Sequence, residues 1–469
     1  ALAAILHGFI VPKYHDDFGY LLDADTFVRG RMSNPTHPLW PHFETMHVLQ
    51  VPRYISKYPV GQGLIFAVGL KLFRNPLMAT WIVTALACAA IWWALRVWTT
   101  PTLALLGGLA TAVHPTMLTW IESYHGGQLA ALGGALMLGA AGRLRARPSW
   151  QMSAVLGLGV VLLSISRPYE GVIFCIAIGL LLMRRSIVRV AWAGAIVVAI
   201  GLGFQAFRNY TITGNPLLLP YTVYQRQYDP VPAFIWGKAR PMPQYRNAEM
   251  ADVYGNWYMN QYRKVHAPGG LLKETLVKIR FIYVAVFGDF VAFRDPEPLI
   301  LLLILAAIPL VIEDRNSRPI ALVLLVFLFA PLSLLGWMQY HYLSTATAAA
   351  VCFVMLMLRR LFVASPLLAT AVLVLFLGNA AMKWFGAETP DSGMEPKRRK
   401  IAASLLAAGG GHLVIVAPDV FEAVYNGADL DHEPIVWARD LGPAADARLV
   451  AYYRGRKVWI LDRGGLKPY

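Results

Sequence analysis

Apolar stretches recur along this chain at 60–73, 76–97, 101–120, 125–142, 151–166, 170–183, 187–207, 297–312, 318–337, 343–358 and 366–384. A bilayer needs roughly 20 apolar residues per crossing helix, and each such helix satisfies its own backbone N–H and C=O groups internally. A succession of this kind leads to a polytopic membrane fold. With 57% hydrophobic residues, 15% charged residues and a mean hydropathy of +0.50, the chain is too apolar for a water-soluble globule. The expected fold class is an all-α polytopic membrane protein of about eleven or more membrane helices, carrying a small extracytoplasmic α/β domain at its C-terminal end.

The formal net charge of +15 does not indicate a nucleic-acid partner. Lys and Arg gather at the ends of apolar runs, where positive charge orients membrane spans. The clusters Arg143/Arg145/Arg147, Arg184/Arg185/Arg189, Arg315/Arg318 and Arg359/Arg360 all fall in the cytoplasm when the spans between them alternate, provided 208–296 stays outside. Residues 271–293 mix Lys273, Glu274, Lys278, Arg280 and Asp289 with apolar residues, the pattern of a helix lying on the membrane. The same alternation puts 385–469 on the outer face. Upstream, four full spans between 60 and 142 conflict with an external 12–59. Either 60–73 or the Pro-interrupted run at His114-Pro115 therefore falls short of a full span, and the sequence does not choose between them. Residues 1–11 read as the tail of an apolar segment, implying an earlier span upstream of Ala1. Cys88, Cys175 and Cys352 lie within apolar runs, as packing residues do.

These assignments divide the chain into a membrane domain, 1–384, and a soluble domain, 385–469. The membrane domain contains a first external loop, 12–59, and a second, 208–296. In the soluble domain, 412–417 reads as a buried strand, 419–425 as a helix and 448–461 as strands around Arg454-Gly455. Residues 386–400, with Pro390, Pro396 and the charge run Lys397 to Lys400, read as a linker.

Chemistry concentrates in the first loop, where His15, Asp16, Asp17, Asp23, Asp25, Arg29, Arg31, His37, His42, Glu44, His47, Arg53 and Lys57 crowd together. Residues 17–29 have helical periodicity. At about 100° per residue, Asp16, Tyr20 and Asp23 share one face and Phe18, Leu21, Leu22 and Val28 another, so a juxtamembrane helix presents acids away from lipid. Asp25 and Arg29 have the i,i+4 order for pairing. Moving a sugar onto a hydroxyl requires a base for the acceptor proton, and Asp16 or Asp17 can supply it. Adjacent carboxylates oppose each other's ionisation, which raises one apparent pKa. The competing reading makes Asp16 a helix cap.

Arg167-Pro168-Tyr169-Glu170 sits between two spans on the outer side. There Arg167 can hold a phosphate and Glu170 can orient it, or the two can pair structurally. Tyr221, Tyr224, Tyr228, Phe234 and Trp236 make an aromatic outer loop, an interfacial belt or a sugar platform. His15, His37, His42 and His47 lack the spacing of a zinc site and read as surface or interfacial histidines. A divalent cation near Asp16 is the one cofactor for which the sequence leaves room. No phosphate-binding glycine loop, dinucleotide fingerprint or serine nucleophile elbow is present.

The run His15-Asp16-Asp17-Phe18-Gly19-Tyr20, then Asn34-Pro35-Thr36, then Ser56-Lys57-Tyr58-Pro59 opening an apolar helix resembles the first external loop of GT-C glycosyltransferases. It is similar to that of the protein O-mannosyltransferases and lipid A aminoarabinose transferases, which carry an Asp-Glu pair and a downstream Lys. The resemblance implies a catalytic base at Asp16 and a carrier-phosphate ligand at Lys57. Asp17 stands where those enzymes have Glu. Ser56 stands where the aminoarabinose enzymes have an acid, a function the resemblance would leave to Glu44. Glu122 and His125 occupy the place of a second short loop bearing an acid. His341-Tyr342-Leu343 is similar to the Arg-Tyr-Leu-Leu-Pro motif of these enzymes.

The expectation is therefore a GT-C-like membrane glycosyltransferase, a hexosyl- or pentosyltransferase of the bacterial inner membrane. Its partners are a polyprenyl-phosphate-linked sugar donor, an acceptor the sequence does not identify, and the lipid bilayer, with no nucleic acid. Asp16 and Asp17 are the catalytic candidates. Lys57, Tyr58, Tyr20, Glu44, Arg167, Glu170, Glu122, His125, His341 and Tyr342 are the candidates for binding donor phosphate and substrate. Transfer is inverting, in one displacement, and faces the periplasm or exterior. A multi-span transporter is the competing class, and a polysaccharide polymerase or ligase the third. Transport requires neither an acid-rich first loop nor a large outer domain.

Overall fold

The computed structural model describes residues 11–121, 123–287, 308–309, 313–314, 317–333, 336, 338–385 and 394–469. Helix α1, His15–Val28, opens the first loop, followed by a 3₁₀ turn, Trp40–Phe43, and a short antiparallel pair, β1 (Val48–Leu49) and β2 (Ile55–Ser56). The membrane region then runs through α2 (Val60–Phe73), α3 (Pro76–Trp98), α4 (Pro101–Val113), α5 (Pro115–Ile121), α6 (Gln128–Ala146), α7 (Trp150–Ser166), α8 (Pro168–Leu181) and α9 (Ala191–Thr213). The second loop carries α10 (Pro220–Tyr228), α11 (Ala248–Asp252), a π-helical turn (Val253–Tyr258), α12 (Met259–His266) and α13 (Gly270–Phe287). Helix α14 (Ser317–Ser333), the 3₁₀ segment Tyr340–Ala346, α15 (Thr347–Ala364) and α16 (Pro366–Phe385) complete it.

Four helical stretches are long and apolar enough to cross a membrane: α3, α9, His341–Ala364 and α16. Helices α4 and α5 qualify only together and bend by 50° at the break, where Pro115 removes a backbone donor. Helices α2, α7, α8 and α14 are shorter apolar helices. The count by length and composition is thus four or five among the described residues, against an expected eleven or more, mainly because α2, α7, α8 and α14 are each shorter than 18 residues. The run 297–312 falls almost wholly outside the described residues. Helix α13 is not one of the four, in keeping with its charges. The outer surface of α9 is apolar, with Trp192, Ile196, Ile200 and Phe207 each more than half exposed. In water such a face would be costly, and lipid is its natural solvent. The chain is an integral membrane protein.

Helix α6 is the hub, packing against α3, α7 and the Tyr340–Ala346 segment. Its small residues allow this, as at membrane helix interfaces generally. A Cβ on Gly134 would lie 1.8 Å from the Thr345 carbonyl oxygen, and one on Gly133 3.0 Å from that of Gly159. Gly134→Ala is therefore expected to push the segment bearing His341 and Tyr342 outward. The change should loosen that packing while residues 394–469 stay folded, measurable as a lowered melting midpoint with unchanged protease resistance of 394–469.

The C-terminal region folds into a four-stranded sheet ordered β4 (Ile435–Arg439), β3 (His412–Val416), β5 (Lys457–Asp462), β6 (Gly465–Pro468), preceded by α17 (Met394–Ala408). Strand β3 pairs in parallel with both β4 and β5. A parallel return requires a crossover, which α18 (Pro443–Tyr452) supplies. The expected strand at 448–452 is thus helical, and Gly442-Pro443 is its start signal. Residues 419–425 are not helical. Their backbone groups are used elsewhere, with Glu422 N–H donating to Glu249 and the Ala423 and Tyr425 carbonyls accepting from Arg398. Lys397 to Lys400 belong to α17 and not to a linker, since Pro396 is tolerated in a first helical turn and Ile401-Ala-Ala-Ser-Leu-Leu-Ala-Ala favours helix. Residues 386–393 lie outside the described residues.

The first loop is enclosed by the other two outer regions. Leu22, Phe43, Val48 and Tyr54 share a core with Leu413, Ile415, Val436, Leu449 and Tyr453 of the C-terminal sheet. Met46, Leu49 and Ile55 share another with Ile212, Tyr224, Met250 and Tyr254. The amphipathic expectation for α1 is corrected accordingly. Asp23 is fully buried and faces Arg208 at 3.6 Å, because neighbouring elements cover the side expected to meet water.

Candidate active site

Helix α1 begins with its two acids in different roles. Asp17 Oδ2 accepts from the Lys13 and Tyr14 backbone N–H groups at 2.7 and 3.0 Å. Asp17 is therefore the capping acid, satisfying donors that precede the helix. Asp16, free of that task, accepts a short hydrogen bond from the Tyr58 hydroxyl. Its second oxygen lies 3.7 Å from both His47 Nε2 and His125 Nε2. The Asp16 side chain keeps about a third of its surface exposed, 32%, so the acid can be reached from outside the fold.

His125 bridges the acid pair, with Nδ1 3.3 Å from Asp17 Oδ1. The following Gly126 and Gly127 adopt φ of 76° and 145°, so this tight loop needs glycine there. Its ring stacks on His341 at 5.9 Å, which in turn meets Tyr342. Burial opposes ionisation of Asp16. The fields of His47 and His125, with the hydrogen bond from Tyr58, nonetheless hold its carboxyl well below the usual range. Asp17 moves the other way: burial outweighs His125 and the two backbone donors and raises it. His125 is raised, burial being outweighed by Asp16 and Asp17. The pair is thus split, with an ionised Asp16 beside an imidazolium-prone His125.

Lys57 is buried between aromatic faces, its Nζ 5.2, 5.0 and 4.8 Å from the ring centres of Tyr58, Tyr221 and Tyr224. It forms no ion pair among the described residues. Burial lowers its pKa to about 8, against the raising influence of Asp16 and Asp229. Tyr58 thus joins the two motifs, its hydroxyl on Asp16 and its ring against Lys57. Tyr20 stacks on Tyr58 at 4.6 Å. Arg208, paired with Asp23, donates to the Tyr58 carbonyl at 3.4 Å and fixes the entry to α2. Arg167, at the α7–α8 junction, lies over the Tyr342 ring at 5.4 Å, within electrostatic reach of Tyr20, Glu170 and Tyr58. Arg167 and Glu170 form no ion pair within 4 Å among the described residues, contrary to a purely structural pairing.

Asp16, Asp17, Tyr20, Lys57, Tyr58, His125, Arg167, His341 and Tyr342 therefore gather around one centre, with Glu170 buried beside Arg167. Glu122 lies outside the described residues. Glu44 is not brought to the cluster: it accepts from Tyr228 at 3.0 Å and pairs with Arg246 at 3.4 Å. His37, His42 and His47 are buried, not surface residues, because the soluble domain and second loop cover them. His37 meets Asp431 at 3.2 Å and His42 the Arg439 carbonyl at 2.9 Å.

Sequence reasoning missed a supporting layer. His15 Nε2 lies 3.0 Å from Glu249 and its Nδ1 meets the Tyr425 hydroxyl. Glu249 pairs with Arg439 at 2.6 Å, and Arg439 also donates to the Glu44 carbonyl. These partners are 190 to 410 residues apart in the chain, and no local pattern marks them. No group of three or more His, Cys, Asp or Glu side chains among the described residues is arranged to hold a metal ion.

No protein-family model matches the chain, and no curated protein matches it. Solved structures do. ArnT from Cupriavidus metallidurans, in the apo state, superposes with a TM-score of 0.53 at 10% identity, over 98% of this chain and 90% of that one. The Archaeoglobus fulgidus oligosaccharyltransferase gives 0.50 at 13% identity in complex with Zn and sulfate, and 0.51 at 11% in its apo form. The chain spans 66% of the length of the former. At such identities the likeness speaks to architecture alone, and the architecture it establishes is the GT-C fold.

Proposed function

We propose that the protein is an inverting glycosyltransferase that takes sugar from a polyprenyl-phosphate carrier at the outer membrane face. The observation that carries this reading is a partly exposed Asp16, held by Tyr58, in one cluster with two cations, the buried Lys57 and the half-buried Arg167, that form no ion pair within 4 Å among the described residues. Buried cations without ion pairs are costly, and an anionic ligand relieves that cost. In the proposed step Asp16 takes the acceptor hydroxyl proton as its oxygen bonds to the anomeric carbon. The bond from that carbon to the carrier phosphate oxygen breaks, and the phosphate leaves with the bonding pair against Lys57 and Arg167. Tyr58 holds the Asp16 carboxylate by one oxygen and leaves the other for the acceptor. The residues present do not make a metal set, so no step is routed through a cation. The fold shared with an oligosaccharyltransferase supports the class of reaction.

The test is release of label from a panel of radiolabelled polyprenyl-phosphate sugars by the purified protein, read from pH 5 to 10. Lys57 must carry its proton to hold phosphate, so kcat/KM is expected to fall as pH rises through about 8. Lys57→Arg should move that limb upward out of range, because a guanidinium does not deprotonate there. No release from any donor would remove the proposal. An alkaline limb unmoved by Lys57→Arg would remove Lys57 from the phosphate site.

A further inference from the structure

The aromatic and polar residues of the two outer loops that the mechanism does not use converge on a second cavity. Trp40, Glu44, Gln227, Tyr228, Tyr245 and Arg246 line a cleft of about 310 Å³ between the first and second outer loops, at the small end of ligand pockets. We infer that this cleft is a saccharide subsite of the acceptor, holding a sugar ring remote from the hydroxyl that reacts. The inference rests on the glycosyltransferase reading and names the acceptor class.

Three features select a neutral, hydroxyl-rich ligand. The charges cancel locally, because Glu44 accepts from the Tyr228 hydroxyl and pairs with Arg246, whose guanidinium also lies 5.2 Å from the Trp40 ring. A bare anion or cation therefore finds no uncompensated partner. The walls offer indole and phenol rings, whose faces pack against sugar CH groups. Gln227, whose Nε2 donates to the Val51 carbonyl, adds an uncharged amide to the wall.

The cleft also connects to the reacting centre. Tyr228 packs on Tyr224 at 4.9 Å between ring centres, and Lys57 Nζ lies 4.8 Å from the centre of the Tyr224 ring. One aromatic layer thus separates the subsite from the proposed phosphate site, a spacing suited to an acceptor of more than one ring.

The experiment separates this inference from the reading beneath it. Saturation-transfer NMR on full-length Asp16→Asn protein, with maltose, cellobiose, diacetylchitobiose and a serine-containing pentapeptide as probes, needs no turnover. At least one saccharide is expected to bind, and Trp40→Ala in the same background should weaken it about tenfold. Arg246→Ala, at an exposed side chain, is the second variant. It should also weaken saccharide binding without changing thermal stability. Saccharide binding unaffected by both variants, no saccharide binding, or Trp40-dependent binding of the peptide alone each overturns the subsite. Saccharide binding that depends on Trp40, in a protein that releases label from no donor, supports the subsite and removes the transferase step.

Discussion

Asp16→Asn protein is expected to fold as the parent does and to lose transfer by about 10²–10⁴-fold, the range general-base catalysis contributes. The asparagine can keep the hydrogen bond from the Tyr58 hydroxyl, so the neighbouring Lys57 and Tyr20 stay in place. What it loses is the ionised oxygen facing His47 and His125. Helix α1 does not depend on Asp16, because Asp17 receives the Lys13 and Tyr14 backbone donors. Asp17→Ala should therefore show the opposite balance, a stability loss of about 1 kcal/mol, typical of a lost cap, with most of the chemical rate retained. Single-turnover label transfer and thermal melting of the two variants, side by side, decide the assignment. A rate in Asp16→Asn within tenfold of the parent would show that Asp16 is not the base.

Arg439→Met should destabilise the outer assembly by about 3–5 kcal/mol, the usual cost of leaving one member of a buried ion pair alone. Arg439 and Glu249 have side-chain exposures of 4% and 1% and approach to 2.6 Å. The pair ties the end of β4 to α11, and through the Glu44 carbonyl to the first loop. Glu249 also holds His15, the residue preceding Asp16. Loss of Arg439 should lower turnover as well as the melting midpoint. Replacing both members, Arg439→Met with Glu249→Gln, should recover most of the stability, because no buried charge is then left alone. A double variant as unstable as Arg439→Met would show that packing, and not the ion pair, fastens the soluble domain to the first loop.

The membrane helices were legible because lipid imposes a simple rule on local sequence. The ends of α2, α3, α7 and α16 fall within one or two residues of the apolar runs. Asn75, Thr100 and Ser149 accept from backbone N–H groups at three helix starts, as caps that could be read directly. The association of Asp16, Lys57 and Arg167 was also expected, from the resemblance and from placing all three on one side of the membrane. What could not be read was the covering of the first loop. His37, His42, His47 and Asp23 look like polar surface residues until the C-terminal sheet and second loop enclose them.

The sequence by itself determined that the chain enters a bilayer, where several of its apolar helices begin, and that one loop collects acids and a lysine. These follow from hydropathy, proline and charge within short windows. Only the tertiary structure decided that Asp17 caps the helix while Asp16 stays partly exposed, that Tyr58 joins Asp16 to Lys57, and that Glu249 and Arg439 brace both from afar. Burial and ion pairing depend on which distant surfaces meet, and no window of neighbouring residues carries that information.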